Sequence, residues 1–253
     1  MVSSAAMELK DAMRRLEAAG SEQARKTYRR HGMSDPLFGV SYAELGKLKK
    51  AIGTDHALAL QLWATGNGDA RVLATMVGDA EQASPTELER WSRDLDSYVL
   101  TDAFTRFASR SPHARALMRK WIDADHERLE CVAWGLLASR AGMDRTVSDE
   151  HFDPWLARIE RTIHGAKNRV RYCMNMALIA IGGRSDAMAK RAIAASRRIG
   201  PVEVDHGDTD CQTPDAAAYI GKIRERQAAK KPKTRKGVRD LSRGGKRLLR
   251  NSR

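Results

Sequence analysis

The sequence predicts an all-α fold, arranged as a right-handed superhelical solenoid of antiparallel helix pairs. Three observations predict it. Cap residues recur along the 253-residue chain, each opening a segment with apolar side chains at i, i+3, i+4 and i+7. Ala, Leu, Met and Arg are common while aromatics make up only 6%, a balance that favours helix over sheet. The connections are short, which sets successive helices antiparallel.

The elements follow in order. "MVSSAAMELKDAMRRLEAAG" is an amphipathic helix and not a signal peptide, because Glu8, Lys10, Asp11, Arg14 and Arg15 interrupt its apolar positions. Ser41-x-x-Glu44 and Ser84-x-x-Glu87 have the form of capping boxes, the second with Pro85 at the first helical position. Ser111-Pro112 and Thr213-Pro214 repeat the cap-then-proline start, and Ser148 and Ser185 precede further periodic segments. Gly20, Gly32, Gly53, Gly142, Gly182 and Gly200 stand where C-terminal glycines belong. "RWSRDLDSYVLTDAFTRFA" and "LECVAWGLLASRA" show the helical period most plainly. These marks divide the chain into about twelve or thirteen helices with no convincing strand. Helix pairs recur every 30 to 45 residues or so, roughly the period of HEAT-type repeats. Trp63, Trp91, Trp121, Trp134 and Trp155 lie among apolar positions at helical spacing and read as inter-helix core.

Charge divides the chain unevenly. The net charge is +13, from 45 basic and 32 acidic residues. Residues 222–253 hold 14 of the Lys and Arg against Glu225 and Asp240, which leaves 31 basic and 30 acidic residues before position 222. The sequence therefore reads as a nearly neutral helical-repeat domain over 1–221 and a basic, disordered tail over 222–253. Lys230, Lys231, Lys233, Arg235 and Lys236 make the densest part of that tail. Such an arm grips polyanions by counterion release, without sequence preference. No run of 18 apolar residues is present, so no membrane span is expected. Three separated cysteines, Cys131, Cys173 and Cys211, give neither a disulfide framework nor a cysteine zinc site, and a reducing cytoplasm fits best.

The segment "VEVDHGDTDCQTPDAAAYI" crowds Asp205, His206, Asp208, Asp210 and Cys211 into seven positions. It lacks the oxygen spacing and distal Glu of a calcium loop. His206, Cys211 and an Asp could offer zinc ligands, but three ligands from one short loop make poor tetrahedral geometry. A structured loop is expected instead, with no metal or cofactor. Its acids cap backbone donors, Gly207 turns the chain, and Asn175 offers a buried partner nearby.

"FGVSYAELGKLKKAIG", "ALALQLWATGNGDARVLATMVGD", "WSRDLDSYVLTDAF", "RLECVAWGLL" and "NRVRYCMNMALIAIGG" follow one another in the chain. This ordered set resembles the AlkD-like DNA alkylation repair proteins over about residues 35–221, and the acidic loop resembles the closing segment of one branch of that family. The resemblance implies a curved solenoid of HEAT-like repeats whose concave, positive face binds duplex DNA, including DNA with alkylated bases. It implies for some members the hydrolysis of the N-glycosidic bond of cationic N3- or N7-alkylpurines without base flipping. Active members use an Asp with two Trp. Asp102 matches that Asp, Tyr98 falls where the first Trp would be, and Met176 where the second would be. A basic residue usual in the family near "RLECVAWG" is replaced, with Glu130 and Cys131 standing there.

The chemistry explains the residue types. Glycosidic cleavage leaves an oxocarbenium-like sugar, which a carboxylate stabilises by charge. An aromatic face stabilises it by cation–π attraction, worth about 0.5–2 kcal/mol. Tyr98 and Asp102, four apart, share one helix face and are the candidate catalytic pair. Arg169, Arg171, Lys47 and Lys50 are candidate phosphate contacts, with Met176 packing beside them. A monomer is expected. The alternative is a non-catalytic helical-repeat scaffold that binds nucleic acid or a protein partner.

Overall fold

The computed structural model describes residues 7–230. Among them are thirteen α-helices. They are α1 (Leu9–Ala18), α2 (Glu22–Arg30), α3 (Tyr42–Ile52), α4 (His56–Ala64), α5 (Gly68–Val77), α6 (Pro85–Arg93) and α7 (Tyr98–Ala108). Then follow α8 (Ala114–Trp121), α9 (Glu127–Met143), α10 (Asp153–Thr162), α11 (Asn168–Gly182), α12 (Asp186–Ile199) and α13 (Ala216–Lys230). Short 3-10 turns lie at Asp149–Phe152 and Ile163–Gly165. One isolated antiparallel bridge joins Gly20 to Val40. The all-α reading holds, and no helix among the described residues is long and apolar enough to cross a membrane.

The helices stack as two rows. α3, α5, α7, α9, α11 and α13 pack side by side in an inner row, while α6, α8, α10 and α12 back them from outside. Hydrogen bonds between repeats reveal the period. Trp63 Nε1 donates to Asp94 at 2.7 Å, Arg110 to the Thr75 carbonyl at 3.3 Å, Arg158 to that of Ile122 at 3.1 Å, and Asn175 to that of Pro214 at 2.9 Å. Each link spans 31 to 39 residues, the length of one helix pair. Ion pairs repeat the offset along the outer row. Lys120 meets Glu89 at 2.6 Å, Arg158 meets Asp123 at 2.5 Å, Arg191 meets Asp153 at 2.6 Å, and Arg198 meets Glu160 at 2.5 Å. Exposed pairs of this kind contribute only about 0.2–1 kcal/mol each, so cohesion must come from the core.

That core carries an aromatic spine through four helices. Trp63 and Trp91 stack at 4.1 Å with planes 1° apart, and Trp91 lies 5.2 Å from Phe107. Phe104 bridges Trp63 and Trp121 at 6.4 and 6.3 Å. Full burial of Phe104 or Phe107 stabilises the fold by about 1.5–3 kcal/mol.

Cap chemistry sets the helix starts. Ser84 and Glu87 form a reciprocal capping box. Ser21, Asp55, Asn67, Ser97 and Ser185 each accept a backbone N–H in the first turn. Ser41 caps α3, but Glu44 turns to Lys47 rather than back to the cap, so that box is half made. α8 starts at Ala114, two residues past Pro112, and Ser111 instead turns the chain by accepting from His113 N. Asp215, not Thr213, caps α13 through Ala218 N at 2.7 Å. Gly32, Gly53 and Gly200 adopt the positive φ expected after a helix. Gly142 and Gly182 do not end helices by such a turn. Packing alone requires a small residue at Gly182, since a Cβ there would sit 2.6 Å from Ile220 of α13.

The tail reading needs correction at its start. α13 continues to Lys230, so residues 222–230 are helical. Ile220 is buried against Gly182, Ile223 packs on the core, and Gln227 donates to the Gly183 carbonyl at 3.1 Å. These contacts recover the cost of ordering a charged segment. Lys231, Lys233, Arg235 and Lys236 lie outside the described residues.

Candidate nucleic-acid interface

Three neighbouring inner helices bring the site together. Ser97 caps α7 by accepting from Leu100 N at 3.2 Å, which places Tyr98, Thr101 and Asp102 on one face of its first turns. α11 has no cap from its own chain start. Glu127 of α9 supplies one, accepting the backbone N–H of Arg169 at 2.8 Å. Glu127 thereby fixes where Arg169 leaves the helix.

Arg169 then lies between two tyrosines. Its guanidinium carbon is 4.4 Å from the Tyr98 ring centroid and 4.1 Å from that of Tyr172. Tyr172 is braced in turn by an edge-on contact with His206 at 5.7 Å. The acidic loop holds that brace. Asn168 and Asp205 exchange hydrogen bonds of 2.7 and 2.8 Å, His206 Nε2 lies 3.0 Å from the Thr213 hydroxyl, and Asp205 accepts from Gly207 N at 2.8 Å. Among the described residues no three His, Cys, Asp or Glu side chains converge as metal ligands. The loop's hydrogen bonds to Asn168 and Thr213 position His206 against Tyr172. Burial holds the His206 imidazole below its ordinary range, with Arg169 adding to the effect.

Tyr98, Thr101, Asp102, Glu127, Arg128, Cys131, Arg169 and Cys173 line a cleft of about 10 Å³. That is space for about one water and not for a sugar or a base. Asp102 is open to water by surface area, yet the surrounding inner wall strips part of its hydration. This desolvation pushes its carboxyl above the usual range, against the lowering pull of Arg169 and Arg106. The same field reaches Tyr42 at the start of α3, whose hydroxyl is raised by burial, lowered by Arg106 and raised by Asp102. Tyr42 is 42% exposed, so a third aromatic ring stands open beside Tyr98 and Tyr172.

A family model described as DNA alkylation repair enzyme matches residues 12–220. The chain belongs to that family. The match begins earlier than the resemblance at about residue 35 and takes in most of α1 and all of α2. An uncharacterised protein of Listeria innocua is 27% identical over 218 residues, 83% of this chain and 95% of the relative. One of Listeria monocytogenes matches with the same identity and coverage. A solved structure matches with a TM-score of 0.79 and 28% identity over 87% of this chain and 95% of its own. It comes from a group described as a new family of proteins related to the HEAT-like repeat DNA glycosylases with affinity for branched DNA structures. HEAT-like stacking of helix pairs is thus the fold of this DNA alkylation repair family member.

Against the family frame, the predicted residues divide. Tyr98, Asp102 and Arg169 meet at one cleft. Met176, two turns along α11 from Arg169, packs against the core and does not line the cleft. Arg171 is taken up by carbonyls, donating to that of Ala166 in the turn before α11 at 2.9 Å and to that of Glu203 at 3.2 Å. Lys47 pairs with Glu44 at 2.6 Å on an exposed face with Lys50 beyond it. Lys230 ends α13. Sequence reading missed Arg128, Glu127, Tyr172 and Tyr42. Tyr172 was recoverable as the residue three after Arg169 on a helix, whereas Glu127 as a cap for a different helix had no local signal.

Proposed function

We propose that this family member binds DNA along the inner face, with Arg169 as the central phosphate contact, and that it does not excise bases there. The observation that carries the reading is the position of Arg169. Excision would need the Tyr98 face free for a cationic sugar, beside Asp102. Instead the Tyr98 and Tyr172 faces hold a guanidinium, and the cleft is filled. A fixed cation at that place repels both an oxocarbenium-like sugar and an already cationic alkylpurine. It attracts a phosphate, and the two rings and Glu127 hold it in place beforehand, which lowers the cost of ordering it on binding. Arg128 and Arg106 bring the local balance to three guanidinium groups against the two carboxylates of Asp102 and Glu127. The related structure's group, with its affinity for branched DNA, supports DNA as the ligand.

Asp102 favours a second reading, in which excision of cationic N3- or N7-alkylpurines persists once Arg169 swings onto a phosphate. Duplex containing N7-methylguanine and N3-methyladenine separates the two. Binding with base release no faster than in buffer supports the first reading. Release above buffer that fails in Asp102→Asn supports the second.

A further inference from the structure

A second basic site lies at the other end of α9. A cavity of about 270 Å³ opens there between the α7–α8 connection and the last turns of α9. Arg115 and Arg140 line it together with the hydroxyl residues Ser109, Ser111 and Ser139. Arg119 follows Arg115 by one turn of α8, and both are exposed. Neither Arg115 nor Arg119 forms an ion pair among the described residues. Lys120, Arg158, Arg191 and Arg198 of the outer row meet carboxylates of a neighbouring repeat, and what sets Arg115 apart from other outer-row cations such as Arg161 and Lys190 is the cavity it lines. Asp144 is the acid at the cavity, and it is engaged by Arg140 at 3.6 Å and by Thr146. The positive field converges on His151, whose imidazole is held below its ordinary range by burial first and then by Arg140, Arg115, Arg119 and Arg184. Arg184 is itself buried and bonded to the carbonyls of Ala141, Asp144 and Val147, so it adds charge without being free to bind.

We infer that Arg115, Arg119 and Arg140 hold the phosphate backbone of a second DNA arm. The inference rests on the reading that the inner face around Arg169 holds the first. Glu127 and Arg140 are thirteen residues apart on one helix, so the two basic sites are about 20 Å apart along α9. Arg115 and Arg119 without carboxylate partners, Arg140 beside its Asp144 partner, and the serine hydroxyls offer charge-assisted and neutral donors to phosphate oxygens and nothing that reads a base. A duplex running across the helices at Arg169 passes the N-terminal ends of α7 and α9, whereas the cavity lies at their C-terminal ends. A branched molecule presents a second backbone at an angle to the first.

The test uses the full chain and two labelled DNAs with the same arm sequences, a linear duplex and a four-way junction. Arg115→Ala/Arg119→Ala should lower junction affinity about ten- to a hundredfold. It should also flatten the junction's salt slope by about 2, near 0.9 for each phosphate released. Linear affinity should change less than about twofold. A control variant, Arg161→Ala/Lys190→Ala, removes the same charge from other exposed positions and should leave junction binding in place. Equal losses on both DNAs, no loss on the junction, or an equal loss in the control overturns the second-arm site. Wild-type protein that binds neither DNA overturns the inner-face reading as well. Binding of linear duplex that depends on Arg169 but not on Arg115 and Arg119, with no junction preference, overturns only the second arm.

Discussion

Arg169 stacks its guanidinium 4.4 Å from the centroid of Tyr98, the residue that the sequence resemblance sets in the place of a tryptophan. The contact converts a surface that could face a cationic sugar into one that offers a cation. It also ties α11 to α7 across α9, because Glu127 of α9 holds the backbone N–H of Arg169. A local electrostatic choice and the stacking of three repeats are therefore the same feature.

Glu127→Ala should weaken DNA binding without removing any positive charge. The carboxylate caps α11 from outside, and its loss frees the first turn that carries Arg169. Loss of a cap costs about 0.5–2 kcal/mol of stability. Thermal melting should show that drop, and DNA affinity should fall rather than rise despite the lost negative charge. A rise in affinity would mean that Glu127 acts only as a repulsive charge.

Asp102→Asn should stabilise the protein at neutral pH. Its carboxyl is raised above the ordinary 3.8 by desolvation, so the folded state disfavours the charged form. Wild-type stability then falls as pH climbs from 3.8 through the higher folded value, and the penalty stays present above it. The melting temperature of Asp102→Asn should exceed that of wild type at pH 7 and match it below about pH 3.8. Water reaches this carboxylate, so the gain should be small. The same variant should bind DNA more tightly, since a groove carboxylate repels phosphate.

Asp69→Asn should be strongly destabilising. The buried carboxylate accepts the backbone N–H groups of Phe38, Gly39 and Val40 at 2.7, 3.0 and 2.7 Å. An amide keeps one acceptor oxygen and turns a donor toward the others. Each orphaned buried donor costs about 1–3 kcal/mol, so a loss of at least about 2 kcal/mol is expected in denaturant unfolding. The turn itself admits only glycine at Gly39, for its φ is +77° and a Cβ there would meet Ser21 O and Arg25 N at 2.5 Å. Neither Asp69 nor residues 38–40 line the Arg169 cleft, so the variant tests stability apart from that site.

Deleting residues 231–253 removes ten basic residues and Asp240. DNA affinity should fall uniformly across sequences. The slope of log K against log salt should flatten by several units, at about 0.9 for each phosphate the tail neutralises. An unchanged salt slope would make the tail a bystander in binding.

The fold was legible because its signals are local. Ser84 with Glu87 and Ser185 announce helix starts in three or four residues, and the 31- to 39-residue links match the repeat period read from the pattern. Where a local signal competed with packing, packing prevailed. Gly182 looks like a helix end but is small because Ile220 sits on it, and residues 222–230 look like tail but are ordered by the groove of α11 and α12. The site was half legible for the same reason. Tyr98 and Asp102 share a helix face and could be paired from spacing. The insertion of Arg169 between Tyr98 and Tyr172 joins helices about 70 positions apart, and no pattern within either helix records it. Arg171, two residues on, looks equally free in sequence and is spent on the Ala166 carbonyl in the turn before α11 and the Glu203 carbonyl of the acidic segment.

The most direct test of a DNA-binding inner face is an anisotropy titration of one labelled linear duplex with wild type and Arg169→Ala at two salt concentrations. A phosphate contact by Arg169 predicts a loss of about ten- to a hundredfold in affinity and a salt slope flatter by about 0.9. An unchanged affinity and slope in Arg169→Ala, with wild type binding normally, would contradict it.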